Sequence, residues 1–181
     1  MRSSVLVLLT WQLAALGVAA QTIDAKAPDF SLPDTTGVVH KLSDLKGKFV
    51  VLEWTGPDCP YVKRHYKNGE MQDRAAKWTK QGVVWLAVDS DEKAPAETIE
   101  AWRKEKNVAY PILLDPTGEV GHAYGAETTP HVMIVKDGVR LYDGAVDDGP
   151  RGKATVNYID QALTELLAGK PVSMPKTEPY G

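Results

Sequence analysis

From Phe49 to Trp54 the chain runs Phe-Val-Val-Leu-Glu-Trp, and from Val83 to Val88 it runs Val-Val-Trp-Leu-Ala-Val. Apolar, largely β-branched runs of this length, bounded by turn residues, predict strands buried on both faces. Lys46-Gly47-Lys48 precedes the first; Gly82 opens the second and Asp89-Ser90-Asp91 closes it. Between them the spacing becomes helical in two pieces. Pro60 suits the first turn of one helix, Asn68-Gly69 breaks it, and Met71, Ala75 and Trp78 carry a second stripe. Strand, helix, strand predicts a crossover joining a parallel pair. A helix is predicted over 96–107 with Ile99 and Trp102 inward, then a short strand from Pro111 to Leu114. His131 to Val135 and Val139 to Tyr142 flank an Asp137-Gly138 turn, which predicts a hairpin. Val156, Ile159, Leu163 and Leu166 predict a last helix over 151–168. The proline-rich end, 170–181, predicts an extended or mobile tail. The predicted class is α/β: a mixed central sheet flanked by helices on both faces, with an N-terminal β extension.

The first twenty residues have a different character. One positive charge at Arg2, an apolar stretch from Val5 to Leu16 and small residues at Val18 and Ala20 predict a secretory signal peptide over 1–20, cut before Gln21. Trp11-Gln12 interrupts a run already short of the roughly 20 apolar residues that a membrane span needs. The organisation that follows is a signal over 1–20, one domain over 21–169 and a tail over 170–181, in a protein that is periplasmic or secreted. Removing Arg2 makes the net charge one unit more negative than the −3 of the full chain. A mildly acidic chain without a basic run carries no electrostatic signature of nucleic acid or of an anionic membrane as partner.

Export sharpens the meaning of the single cysteine, Cys59. Exported chains keep structural cysteines in pairs, so a lone one is either buried and inert or free to react with another molecule. Its setting, Thr-Gly-Pro-Asp-Cys-Pro-Tyr-Val-Lys over 55–63, puts it between a strand end and a helix start, at the crevice of an open α/β sheet. There the positive end of a helix dipole and unpaired backbone N–H groups face the sulfur. Pro60 starts that helix, and Lys63, four residues on, shares a face with Cys59 while Asp58 opposes it in charge. Trp54 flanks the turn and is read as core; a Cys59–His65 pair is not expected, and His131 is read as structural. Asp89, Asp91 and Glu92, like Asp147 and Asp148, lack calcium-loop spacing and are read as solvated loop acids, so no metal site and no cofactor is predicted.

Three stretches carry a family likeness: APDFSLPDTTGVVHKLSDLKGKFVVLEW from Ala27, PDCPYV from Pro57 and TTPHVMIVKDGVRLYDGAV from Thr128. Together they resemble the thioredoxin-fold redoxins, specifically the alkyl-hydroperoxide-reductase/thiol-specific-antioxidant type of domain. The resemblance implies a thioredoxin-like fold, Cys59 as the nucleophile, and Thr129-Pro130 as the cis-proline loop that faces it and docks a substrate backbone. The local resolving position falls on Val62. The peroxiredoxin threonine three residues before the cysteine falls on Gly56, with Thr55 one position earlier. Within the subgroup sharing W-T-x-P-D-C-P-x-V-K-x-H-Y, many members carry a cysteine directly after the motif matching Tyr180-Gly181. The expected function is therefore an exported thiol oxidoreductase in which Cys59 attacks a disulfide or a peroxide. Resolution falls to a low-molecular-weight thiol, a thiol or disulfide protein, or a cysteine beyond this sequence. The alternative is a non-catalytic module of the same fold that docks extended peptides at Thr129-Pro130 or delivers copper.

Overall fold

The computed structural model describes residues 23, 26–151 and 153–181; the predicted export signal over 1–20 lies outside the described residues. Two short strands, β1 (Ser31–Pro33) and β2 (Val39–Lys41), pair antiparallel ahead of a 3-10 turn at Leu42–Leu45. The remaining order is β3 (Val50–Thr55), α1 (Pro60–Lys67), α2 (Glu70–Thr79), β4 (Val84–Asp89), α3 (Ala96–Glu105), β5 (Ile112–Leu114), α4 (Glu119–Tyr124), β6 (His131–Lys136), β7 (Val139–Gly144) and α5 (Tyr158–Leu167). Five strands form one sheet in the order β5-β4-β3-β6-β7. β3, β4 and β5 run parallel, while β6 is antiparallel to both β3 and β7.

Side-chain alternation along β3 divides the core. Val51 packs with Trp85, Ile112 and Ile134 under α1, α2, α3 and α5. Val50, Leu52 and Trp54 face the other way, onto Phe30 and Leu42 from the N-terminal extension and Tyr124 of α4. The helix pair α1–α2 breaks where Gly69 takes φ 78°, a left-handed conformation that suits glycine. The hairpin turn has Asp137 and Gly138 at φ 50° and 75°, the two positive values that a type I′ turn needs. Among the described residues no helix is long and apolar enough to cross a membrane.

Several boundaries differ from the sequence expectations. α5 starts at Tyr158 instead of near Arg151, because the Asn157 side chain accepts the Asp160 N–H at 2.9 Å and caps the helix there. Val156 is consequently outside the apolar stripe and exposed. α4 was not expected: at six residues it is too short to set up a helical period. Asp115 holds its start by accepting Gly121 N–H at 2.9 Å and Val120 N–H at 3.3 Å.

The topology brings two distant segments together. β3 and β6 are antiparallel with Trp54 opposite His131, so the exit from β3 and the entrance to β6 share one end of the sheet. Cys59 follows the first and Pro130 precedes the second.

Candidate active site

After Thr55 the chain turns through Gly56, with Cys59 N–H donating to Gly56 O at 3.0 Å. Cys59 occupies the N-cap of α1 in an extended conformation. Pro60 takes the first helical position, where its missing N–H leaves no bond unmade. The thiol is half-buried and donates to the backbone carbonyl of Thr129 at 2.9 Å. The Thr129–Pro130 peptide bond is cis. Cys59, Pro60, Thr129 and Pro130 thus form one constellation across 70 residues of sequence.

The other predicted site residues fall around it differently. Lys63 reaches Asp58 at 3.3 Å on the surface, so its ammonium is directed to the neighbouring carboxylate and away from the sulfur. Thr55 is buried opposite Asp89, its hydroxyl without a hydrogen-bond partner. Trp54 is buried against Tyr124, ring centroids 5.3 Å apart, and packs as core. His131 is buried and structural: its Nδ1 accepts Glu127 N–H at 3.2 Å, so Nε2–H is the donor to Asp143 at 2.8 Å. This pair ties the loop carrying Thr129 and Pro130 to β7, and Arg140 completes it by donating to Asp143 at 2.5 Å. Burial alone would raise the Asp143 carboxyl, but the bonds from His131 and Arg140 outweigh it and hold it below the ordinary range. His65 is buried away from Cys59, beside Asp147 and Tyr180, and burial pushes its imidazole down to about 4.

A cleft of about 640 Å³ opens over the C-terminal ends of β3 and β4. Cys59, Asp58, Asp89, Ala94, Ile99 and Thr129 are among its lining residues. Two acids read as solvated prove otherwise. Asp147 is buried under the tail, and Asp89, the last residue of β4, is only 2 % exposed. The apolar run Val83 to Val88 hid the fact that β4 continues one residue further. Asp89 accepts Asp91 N–H at 2.9 Å through one oxygen, while the other has no partner. Burial, reinforced by Asp91 and Asp58, raises its carboxyl to about 6. A raised acid contributes stability that is fully present below its ordinary 3.8 and is lost as pH rises through about 6. Asp89→Asn keeps the acceptor for Asp91 and removes the charge. It is expected to stabilise the chain by about 2 kcal/mol at pH 8, with the gain vanishing below pH ~4 in urea unfolding.

The sequence reading also passed over Glu53, although a carboxylate inside Phe-Val-Val-Leu-Glu-Trp was the signal that could have found it. Glu53 has no exposed surface and shares the α1 side of the sheet. Its carboxyl oxygens lie 2.7 Å from Tyr66 Oη, 2.9 Å from Trp85 Nε1 and 3.2 Å from Tyr110 Oη, and the two tyrosine hydroxyls lie 2.6 Å apart. Among the described residues no three His, Cys, Asp or Glu side chains are grouped to hold a metal ion.

Comparison with known proteins follows the same lines as the geometry. A model of the AhpC/TSA family matches residues 23–142. The thiol-disulfide oxidoreductase ResA of Geobacillus thermodenitrificans is 32% identical over 145 residues, spanning 75% of this chain and 79% of that protein. A hypothetical protein from Sinorhizobium meliloti 1021 superposes with a TM-score of 0.79 at 25% identity, covering 88% of this chain and 92% of its own. A putative thioredoxin from Neisseria meningitidis gives a TM-score of 0.57 at 27% identity over 66% of this chain and 79% of its own.

Proposed function

This chain belongs to the AhpC/TSA family and has a thioredoxin-like fold, and from that premise we propose that it is an exported thiol-disulfide oxidoreductase whose nucleophile is Cys59. The observation that carries the proposal is the Cys59 thiol donating to the carbonyl of Thr129 at 2.9 Å, at a helix N-cap and on the rim of an open cleft. A sulfur so placed is reachable by a second molecule, and the loop beside it offers backbone groups to that molecule. The curated relative named as a thiol-disulfide oxidoreductase supports the same chemistry.

In the forward step the Cys59 thiolate attacks one sulfur of a disulfide. A new Cys59–S–S–R bond forms, the original S–S bond breaks, and the other half leaves as a thiolate. The thiol proton goes to solvent, because the Thr129 carbonyl holds the S–H but does not take the proton. Val62, three residues on, supplies no sulfur, so resolution falls to an external thiol or to a cysteine beyond this sequence. Peroxide is the alternative oxidant: the same thiolate would become a sulfenic acid and release water or an alcohol. The signal-like sequence over 1–20 supports a reaction outside the cytoplasm with thiol and disulfide partners.

The test is to offer the reduced chain a small disulfide and follow intact mass. One adduct on Cys59 and one released thiol are expected, and iodoacetamide should alkylate Cys59 faster than free cysteine. Alkylation no faster than the free amino acid, with no adduct, would overturn the proposal. A sulfenic acid trapped by dimedone, without a disulfide adduct, would move the substrate class to peroxides.

A further inference from the structure

Beyond α5 the chain does not leave the molecule. Ser173 is held by Glu165, and Asp143 N–H donates to Pro175 O at 2.9 Å while Thr177 N–H donates to Asp143 O at 3.1 Å. Thr177 Oγ1 accepts Ala145 N–H at 2.9 Å and lies against Gly144, where no Cβ would fit. The Tyr180 hydroxyl then donates to the Asp147 carboxylate and accepts from Arg64 Nη2 at 2.9 Å. Its ring lies 5.7 Å from that of Tyr61, with the Arg64 guanidinium over it at 5.4 Å. Gly181 ends up on the docking loop. A Cβ there would fall inside the contact distance of Thr128 Oγ1 and Thr129 O. Thr129 O is the same atom that receives the Cys59 thiol.

We propose that Tyr180 and Gly181 set the substrate class of the Cys59 site, as a strap across the Thr128–Thr129 loop that excludes polypeptide disulfides and leaves small disulfides free to enter. The inference rests on the thiol-disulfide function of Cys59 proposed above. An extended polypeptide that reaches Cys59 along the loop needs the backbone of Thr129, and the strap lies on it. The cleft over β3 and β4, at about 640 Å³, lies within the usual range of roughly 300–1,000 Å³ for small-molecule sites. A polypeptide must therefore wait for the strap to lift, and its apparent rate is its intrinsic rate multiplied by the fraction of time that the strap is open.

Gly181→Ala adds the methyl group that the loop has no room for and touches none of the core. The probes are 2-hydroxyethyl disulfide and insulin, a small and a polypeptide disulfide, with second-order rates of Cys59 adduct formation measured by quenched mass spectrometry. Gly181→Ala should raise the insulin rate at least about tenfold and change the 2-hydroxyethyl disulfide rate less than about twofold. Equal shifts for both probes, or an unchanged or lower insulin rate, would overturn the strap. A second arm uses Cys59→Ser and carboxymethylated insulin B chain, with binding read by fluorescence anisotropy. Adding Gly181→Ala should tighten Kd at least about tenfold, and an unchanged Kd would refute the proposal. If Cys59 forms no adduct with either disulfide in any variant, the oxidoreductase function fails, and the binding arm still decides the strap.

Discussion

Glu53→Ala is expected to destabilise the chain by roughly 3–5 kcal/mol in urea unfolding, while Glu53→Gln folds as well as the parent or better. Counting protons explains the contrast. Four short contacts join Glu53, Tyr66, Tyr110 and Trp85, and each needs one hydrogen. Two hydroxyls and one indole supply three. The fourth is supplied by the carboxyl in its protonated form, the form that burial favours by raising the group above its ordinary 4.5. Glutamine places an N–H where that proton sits: its amide donates to Tyr66, Tyr66 to Tyr110, and its oxygen accepts from Tyr110 and Trp85. Alanine leaves those donors in the core with no acceptor and adds a cavity. The sign with pH follows. The contribution of Glu53 is fully present below 4.5 and is lost as pH rises through its raised folded value, so Glu53→Gln should flatten the decline of stability towards alkaline pH. A parent and a Glu53→Gln variant with parallel stability profiles from pH 4 to 9 would show that the carboxyl is ionised after all.

Cys59→Ser should lower the rate of disulfide exchange by at least about a thousandfold, because a serine hydroxyl is scarcely ionised at neutral pH and does not attack a disulfide. The fold should not notice. Serine retains a donor for Thr129 O and the half-buried position tolerates the smaller atom. Unfolding free energies of parent and variant are therefore expected to agree within about 1 kcal/mol. This separates the enzyme from a module that only docks peptides or carries copper. Undiminished exchange in Cys59→Ser would remove Cys59 from the reaction, and full biological activity without exchange would favour the docking module.

What was legible in the sequence was whatever local periodicity and turn chemistry encode. β3, β4, the β6–β7 hairpin and the break at Gly69 were all announced by apolar runs and by the few residues that tolerate positive φ. The meeting of Cys59 with Thr129 came through family likeness, since 70 residues separate them and no spacing rule relates them. Lys63 shows the limit of helical-wheel reasoning: the predicted face is shared, yet Asp58 lies closer to hand and takes the ammonium. Glu53, Asp89 and Asp147 were missed as buried groups because burial of an acid is a tertiary property. Asp89 and Asp147 look like loop acids until the cleft and the tail close over them.

The two terminal extensions also have a bearing on how this sheet meets other chains. At β5, Thr35 N–H donates to Ile112 O at 3.1 Å and Asp34 bridges Leu113. At β7, Lys26 bridges Val139, while Asp143 exchanges bonds with Pro175 and Thr177. Both outer strands thus have backbone groups already taken up by their own chain. An uncovered outer strand is a template on which foreign strands assemble, the usual route to aggregation. With backbone groups on both rims taken up by its own chain, the sheet offers an incoming strand little free edge to extend.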